Sequence, residues 1–346
     1  MSTLGLKSTQ PQTPGLPLVR LELLRPFVEE LDRRGQDVDR LLQRHRLECN
    51  SLQDPNLFVP VNIIHRILED CARMTADPYF GVAVGEQLDP GNWPPLVDAA
   101  TQATSLGDFL VRFILSATRE ATSATHVLEV RGIHAYFREQ RIGEPDIVPS
   151  QNDAFTAGYV LSILKKATGE HWDSRDVLLQ ICDPHAVPAR YEGVQIVGGD
   201  NRGMSGRFPT IWLSLSVDRA GLVASARLSG QRAHPPGSFL DALWLTLEPQ
   251  VGNNDLSVDY VARLLSLSRQ ALQRRLKSCD TSLRQEIARI REQLAIEALV
   301  RTDQSVAEIG ETLGFQSPAS FTRAFRAWTG ESPREYRKSH KHDVTQ

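Results

Sequence analysis

Arginine, glutamine, serine and threonine recur at helical spacing in two short stretches of the chain, 269–277 and 319–326. Arginine and glutamine can each make a pair of hydrogen bonds to one base edge in the major groove of DNA. The side chains expected to face outward or to the flanks are therefore candidates for contact with DNA: Arg269, Gln270, Gln273, Arg274 and Lys277 in the first stretch, and Ala319, Ser320, Thr322, Arg323 and Arg326 in the second. The cations suited to backbone phosphates on the same helices are Arg269, Lys277 and Arg326.

A pattern of apolar residues that occurs twice must position these side chains. In each copy a helical run ends at a break and a second helical run follows, which predicts a helix-turn-helix. Ser268, and Ser317 followed by Pro318, are suitable N-caps for the second helix of each copy. The first copy has Val258, Val261, Ala262, Leu265, Leu272 and Leu276 where the second has Val306, Ile309, Gly310, Leu313, Phe321 and Phe325.

The local distribution of charge supports DNA binding better than the overall charge does. The formal net charge is -3, yet Asp and Glu are absent from 260–279 and from 312–330. A solvated cationic helix face is the alternative interpretation. Each acid-free stretch contains the second helix of one motif, the helix proposed to bind DNA, which we call a reading helix. This coincidence favours contact with phosphates.

A stripe of apolar residues from Leu283 to Arg301 predicts one long helix that joins the two copies. At about 1.5 Å per residue, this segment spans on the order of 28 Å. Successive major grooves on one face of B-DNA are roughly 34 Å apart. A single chain could therefore hold two reading helices in adjacent grooves without dimerising.

The chain has 346 residues, enough for a second, sensory or catalytic domain before the repeat. Hydrophobic residues at 41% and charged residues at 23% are ordinary values for a globular protein. Helical periodicity dominates the start of this half, and period-two alternation follows. The pattern predicts two helices joined at Gly35 within 18–47, a helical run after Pro78 that ends at Leu88, and helices at 61–74, 94–104, 106–118 and 151–168. It also predicts a hairpin across 126–138 and strands at 177–182, 194–197 and 210–213.

The segment from Ile309 to Arg337 resembles the signature of AraC/XylS-type transcriptional regulators, and 239–338 follows the two-motif layout of that family. The resemblance implies sequence-specific DNA binding, with base contacts from Gln270, Gln273, Arg274, Ser320, Thr322 and Arg323. Two positions depart from the family pattern. Gly310 replaces a usual alanine, and Cys279-Asp280-Thr281 stands where a glycine-containing turn is common.

The first half of the chain resembles the helical effector domain of the ornithine-utilisation type of regulator in this family, rather than the cupin type of sensor. The resemblance implies a domain that binds a ligand or receives a signal, and it does not name the ligand. The matching stretches are 24–35, 77–81, 167–172 and Arg190-Tyr191.

The expected fold class is an α+β N-terminal effector domain followed by an all-α DNA-binding domain with two helix-turn-helix motifs joined by a long helix. The expected parts are a disordered leader at 1–16, an effector-sensing and dimerisation domain at 17–222, a linker at 223–237, the DNA-binding domain at 238–338 and a tail at 339–346.

Several other side chains could form binding sites, but each also has an ordinary structural interpretation. The nine histidines show no metal-binding spacing, so we predict neither a metal nor a cofactor. The glycine-rich stretch from Gly198 to Gly206 suits a surface loop better than a phosphate cradle. Four aromatic residues could line a small-molecule pocket, although core packing is the commoner role: Trp93, Tyr136, Tyr159 and Trp172.

The competing class of function is an enzyme, a DNA-repair alkyl acceptor that carries the same kind of DNA-binding module. That chemistry needs a reactive thiolate in a Pro-Cys-His setting or a zinc-thiolate cluster. The order at Cys182-Asp-Pro-His185 is reversed, and the other cysteines, Cys49, Cys71 and Cys279, stand alone. We therefore do not expect an enzyme.

The expected partners are double-stranded promoter or operator DNA, an unidentified small-molecule effector and, if the protein is an activator, RNA polymerase. A homodimer is possible. No stretch has the continuous apolar character of a signal peptide or a membrane span, and a cytoplasmic location is expected.

Overall fold

The computed structural model describes residues 5–7, 15–217, 232–253 and 255–340. The chain divides into two compact units, with the boundary between Gly237 and Ser238. The predicted linker at 223–237 lies outside the described residues as far as position 231. Its described end belongs to the first unit, where the Ala233 amide donates to Asn56 Oδ1 at 2.8 Å.

The helices of the first unit follow the predicted apolar periodicity. Gly35 separates the first two, and its φ of +70° is a left-handed conformation that glycine adopts without strain. The helices are α1 (Arg25–Arg33), α2 (Val38–Arg44), α3 (Val61–Thr75), α4 (Phe80–Glu86), α5 (Pro94–Gln102), α6 (Leu106–Glu120) and α7 (Ser150–Thr168).

The strands of the first unit form one six-stranded open sheet and a separate two-stranded pair. They are β1 (Gly5–Lys7), β2 (Leu18–Arg20), β3 (Phe58–Pro60), β4 (Ala124–Arg131), β5 (His134–Arg141), β6 (Leu178–Ile181), β7 (Gln195–Gly198) and β8 (Ser205–Pro209). The large sheet has the order β1-β4-β5-β8-β6-β7, and β2 pairs with β3. Only the β6–β7 pairing among these strands is parallel. The predicted hairpin is β4–β5, and its register places His126 opposite Glu139.

One expected strand is wrong, one strand was not predicted, and two expected segment bounds differ in detail from the structure. The segment 210–213 is not a strand but part of a 3-10 helix, Thr210–Ser214, which begins after Pro209 and buries Trp212. The glycine-rich loop leads into β8, a strand we did not predict, which is held by β5 on one side and β6 on the other. The leader at 1–16 is not wholly disordered, because Gly5–Lys7 pairs with β4 and Leu16 is buried. The tail predicted from position 339 is helical through His340.

Glycines bring α4 and α7 unusually close together. A Cβ atom at Gly85 would lie 2.2 Å from the Phe155 carbonyl oxygen, and one at Gly158 would lie 2.6 Å from the Val82 carbonyl oxygen. Real Cβ atoms do not approach so closely, so larger residues would force the helices apart. This contact fixes α7, which is buried along almost its whole length, behind the large sheet.

The second unit is helical in its described part. Its elements are α8 (Phe239–Leu247), α9 (Val258–Leu264), α10 (Arg269–Ser278), α11 (Leu283–Arg301), α12 (Val306–Thr312), α13 (Pro318–Thr329) and α14 (Pro333–His340). The long helix α11 has the predicted bounds and contacts α8, α12, α13 and α14. The α+β first unit and the all-α second unit confirm the predicted fold class.

Candidate nucleic-acid interface

Both proposed reading helices begin at the serine caps that the sequence predicted. Ser268 Oγ accepts from the Ala271 amide at 3.1 Å, and Ser317 Oγ accepts from the Ser320 amide at 3.2 Å. In the second motif Ser320 Oγ in turn accepts from the Ser317 amide, which completes a capping box, and Pro318 occupies the first helical position. The start of each helix is therefore fixed locally.

Each reading helix buries its predicted apolar stripe and exposes the opposite face. Leu272 and Leu276 are buried in α10, as are Phe321 and Phe325 in α13. Residues four apart share one helix face, so the outward side chains are set by this packing. Those that are exposed are Arg269, Gln270, Gln273, Arg274 and Lys277 in α10, and Arg323 and Arg326 in α13.

Two predicted base-contacting hydroxyls are already engaged within their own helix. Ser320 Oγ donates to the Ser317 carbonyl at 2.7 Å, and Thr322 Oγ1 donates to the Pro318 carbonyl at 2.8 Å. Both residues are half-buried. Each oxygen keeps acceptor capacity, but its proton is committed, so Arg323 is the best-placed donor on this face.

The arginines differ in the partners that they have. Arg269 forms an ion pair with Asp259 of α9 at 2.9 Å, and both side chains are more than half exposed. Such a surface pair contributes little stability, so a phosphate could replace the carboxylate. In the described part of the chain, Arg274, Arg323 and Lys277 form no ion pair within 4.0 Å. These three charges are therefore available to a ligand.

The turns between the paired helices differ in chemistry but share a left-handed residue. Gly314 has a φ of +76° in the second motif, and Ser266 has a φ of +54° at the corresponding position of the first. The departure at Gly310 has a steric cause, because a Cβ atom there would lie 3.1 Å from Phe321 Cβ. Glycine permits the close packing of α12 on α13. The other departure is accommodated by Asp280, whose φ is +52°.

Polar contacts that sequence reasoning missed hold α11 against its neighbours. Glu286 is buried and accepts hydrogen bonds from Trp244 Nε1 at 2.7 Å and from Thr281 Oγ1. Arg337 of α14 donates to the Leu299 carbonyl at 3.1 Å, which satisfies an acceptor in the last turn of α11. The burial of Glu286 could have been suspected from the sequence, because it is an acidic residue on the inner stripe of α11. Nothing in the local sequence predicts the contact made by Arg337.

The aromatic and histidine candidates of the first unit fall into different environments. Trp93 and Tyr159 line a cavity, whereas Tyr136 lies between the guanidinium groups of Arg131 and Arg138, and Trp172 packs on Trp212. The loop at 198–206 presents no helix N-terminus, because it continues into β8. In the described residues no group of three or more His, Cys, Asp or Glu side chains could hold a metal ion.

None of the helices in the described ranges combines the length and apolar character that crossing a bilayer requires.

Two family models match the chain, one in each unit. Residues 35–195 match the N-terminal arabinose-binding domain of the AraC transcription regulator, and residues 261–339 match a helix-turn-helix domain. The second match covers both reading helices. The first covers α3 to α7 and the β4–β5 hairpin.

The ornithine utilization regulator of Pseudomonas aeruginosa is 38% identical over 82 residues, 24% of each protein. The transcriptional activator NphR of Rhodococcus is 30% identical over 94 residues, 27% of this chain and 28% of that protein. The match thus spans only about a quarter of these relatives.

A crystal structure of the transcriptional regulator CdpR from Pseudomonas aeruginosa aligns with 92% of this chain and 98% of its own, at 17% identity and a TM-score of 0.40. The DNA-binding domain of AdpA, solved with a target DNA, aligns with 31% of this chain and 96% of its own, at 26% identity and a TM-score of 0.28. By the matches in its two units, this chain is similar to AraC-type transcription regulators.

Proposed function

We propose that the protein binds specific double-stranded DNA through α10 and α13 and regulates transcription in response to a small molecule bound by the first unit. The observation that carries the proposal is the pair of capped helices, each with an exposed, acid-free face bearing arginine. Arginine in that setting can bind guanine bidentately in the major groove. The helix-turn-helix and arabinose-binding family matches support the same two roles.

The proposed base contacts are Gln270, Gln273 and Arg274 in α10 and Ser320, Thr322 and Arg323 in α13. Exposed side chains on one helix face can reach successive base edges. Arg269, Lys277 and Arg326 are proposed to bind phosphates, with Arg269 exchanging Asp259 for the DNA. The 19 residues of α11 give a connector of about 28 Å between the motifs.

Arg274→Ala and Arg323→Ala should each weaken binding to the cognate site by about 1–3 kcal/mol and relax base preference at one position. The cognate site is first selected from random DNA with the full chain, and affinities are then measured for cognate and scrambled duplexes. Arg175→Ala, which removes an exposed arginine of the first unit, is the matched control. Equal losses on both duplexes would show that the two arginines bind only phosphate.

Lys277→Ala and Arg326→Ala should weaken binding to cognate and scrambled DNA by similar factors. Each change removes one cation that displaces a counterion, so the slope of log K against log salt should decrease in magnitude by about 1. Titrations at several salt concentrations measure this slope. An unchanged slope for either variant would remove that residue from the phosphate-binding set.

The alternative of an alkyl-acceptor enzyme is disfavoured by thiol chemistry. Burial raises the pKa of Cys71 to about 12, and burial together with the Asp153 carboxylate raises the pKa of Cys182 still further. Neither thiol supplies a thiolate near neutral pH. We therefore propose no alkyl-acceptor role for these thiols and assign the chain no catalytic role. Separately, we infer that the protein acts in the cytoplasm.

Activation is the proposed direction of regulation, because NphR is named a transcriptional activator. An activator would contact RNA polymerase. The protein could also dimerise through the first unit while each chain occupies two major grooves of its own. A promoter fusion measured with and without the protein decides the sign: higher transcription with the protein present supports activation, and lower transcription contradicts it.

A further inference from the structure

A cavity of about 110 Å³ lies within the first unit and is partly open to solvent. Its floor is the helix-facing side of the β4–β5 hairpin, where His126, Glu139 and Arg141 project. Its walls come from α3, α6 and α7, which contribute His65, Phe113 and Phe155 among others. All of its lining residues belong to the first unit, which makes this cavity the candidate for the small-molecule site of the proposed function.

Most of the cavity wall is aromatic or aliphatic. Trp93, Phe155 and Tyr159 form a cluster with ring centroids between 5.3 and 5.6 Å apart. Phe27 and Phe113 extend the same wall. An apolar ring or short chain would fit against this surface, because aromatic rings pack well edge to face.

One end of the cavity is polar and contains groups whose hydrogen-bonding capacity is unmet. His65 is 1% exposed, and its Nδ1 atom has no partner among the described residues. Arg141 has a side chain 4% exposed, and its Nε atom likewise has no partner there. Buried polar atoms in folded proteins are nearly always hydrogen-bonded, so these two point to a ligand group.

The third polar group at this end is the Glu139 carboxylate, whose side chain is 11% exposed. It faces His126 Nε2 at 3.7 Å and the Arg141 guanidinium at 3.8 Å, both longer than a hydrogen bond. Burial alone would raise the pKa of Glu139, but His126 and Arg141 hold it lower, at about 2, so the group is an ionised acceptor. Its oxygen atoms can accept a further hydrogen bond from a ligand donor.

Fixed charges of both signs at this end disfavour a charged ligand. A carboxylate placed there would face Glu139, and Asp153 lies behind it as the partner of Arg141. An ammonium would face Arg141 instead. Burying an uncompensated charge costs far more than burying a neutral polar group. A hydroxyl can donate to Glu139 and accept from the orphan nitrogen atoms at once.

We propose that this cavity binds a compact neutral molecule, an apolar ring or chain of roughly six to eight non-hydrogen atoms that carries a hydroxyl group. An engineered cavity of roughly 150 Å³ accommodates benzene, so this smaller cavity encloses the hydroxyl and most of one ring, and the rest of the ligand lies in its open mouth. The hydroxyl lies at the end formed by His65, Glu139 and Arg141, and the apolar part lies against Trp93 and Phe155. This assignment rests on the proposed function, in which the first unit senses a small molecule.

Four probes that share one phenyl ring test the proposal on the full chain: benzyl alcohol, benzylamine, benzoate and toluene. Calorimetry without DNA should give benzyl alcohol a dissociation constant of about 1 mM or tighter. The other three should bind at least about tenfold more weakly, because each leaves polar groups unpaired or adds a charge. Tighter binding of benzoate or benzylamine, or no binding of benzyl alcohol, overturns the proposal.

Variants locate the site. Glu139→Gln should weaken benzyl alcohol at least about tenfold, because an ionised acceptor is lost. Glu129→Gln, on the opposite face of the same hairpin, should leave its affinity unchanged. Ala117→Val adds two methyl groups to the cavity wall and should also weaken binding, whether or not Glu139→Gln folds. If both folded variants bind as the wild type does, the ligand lies elsewhere. DNA binding is measured separately, so failure of either claim leaves the other standing.

Discussion

Arg20→Met is expected to lower the free energy of unfolding of the first unit by about 3–5 kcal/mol, because it leaves a buried carboxylate without its main partner. Arg20 is fully buried at the end of β2, and its Nε donates to Glu120 Oε2 at 2.5 Å. The same guanidinium donates to the carbonyls of Pro55, Arg119 and Ala233, and it lies 4.5 Å above the Phe58 ring.

This one side chain therefore joins segments that are distant in the sequence. The Arg119 carbonyl belongs to the last turn of α6, where carbonyls lack partners within the helix and a cation is favourable. In the variant, the ion-pair partner that Glu120 keeps among the described residues is Arg232, at 3.4 Å. Methionine preserves the aliphatic volume, so the loss reports on the polar contacts.

Chemical denaturation followed by circular dichroism measures the effect. Arg25→Met is the matched control, because Arg25 is half exposed and its ion pair with Glu22, at 3.3 Å, should contribute less than about 1 kcal/mol. Arg20→Lys should fall between the wild type and Arg20→Met, since it keeps the charge and loses the forked geometry. A loss below about 1 kcal/mol for Arg20→Met would contradict the role given to this residue.

Protonation of His65 is the second large expected effect. Burial, reinforced by the positive charge of Arg141 and partly opposed by Glu139, lowers the pKa of His65 to about 3 from its ordinary 6.5. The folded state thus binds the proton less readily than the unfolded state. The free energy of unfolding therefore has its full value above about pH 6.5 and decreases as the pH falls toward 3, by roughly 5 kcal/mol in total.

Urea denaturation of the wild type and His65→Leu at a series of pH values tests this expectation. The wild-type free energy of unfolding should fall more steeply than that of the variant, by up to about 1.4 kcal/mol per pH unit between pH 6 and pH 4. His171→Gln, which removes an exposed histidine, should follow the wild type. Parallel curves for wild type and His65→Leu would contradict the expectation, because they would show that His65 takes up a proton as readily in the folded state as in the unfolded state.

Local periodicity predicted the helices and the hairpin, but pairing between distant segments could not be predicted. The serines at positions 268 and 317 marked helix starts because a cap acts within one turn. By contrast, β8 contains Gly206 and Pro209, residues that weaken any strand pattern, and it forms because β5 and β6 pair with it on both sides. The apolar alternation of 210–213 favoured a strand, yet Pro209 precedes a turn of 3-10 helix there.

The reading faces followed from the apolar stripes, whereas the cavity did not. The buried leucines of α10 and phenylalanines of α13 determine which side chains face outward, so the apolar periodicity was sufficient to predict the exposed faces. Glu139 and Arg141 share the inward face of β5 with Ala135 and Phe137. Two charged residues at period two on an apolar face were the available signal, but His65 comes from a helix far away in the sequence.

The central claim is that both reading helices bind DNA, each in its own major groove. Hydroxyl-radical footprinting of the full chain, on a site selected from random sequence, tests this claim most directly. The expected result is two protected segments with centres about 10–10.5 base pairs apart, one lost in Arg274→Ala and the other in Arg323→Ala. Selection that enriches no site, or a single protected segment unaffected by one of the two substitutions, would contradict it.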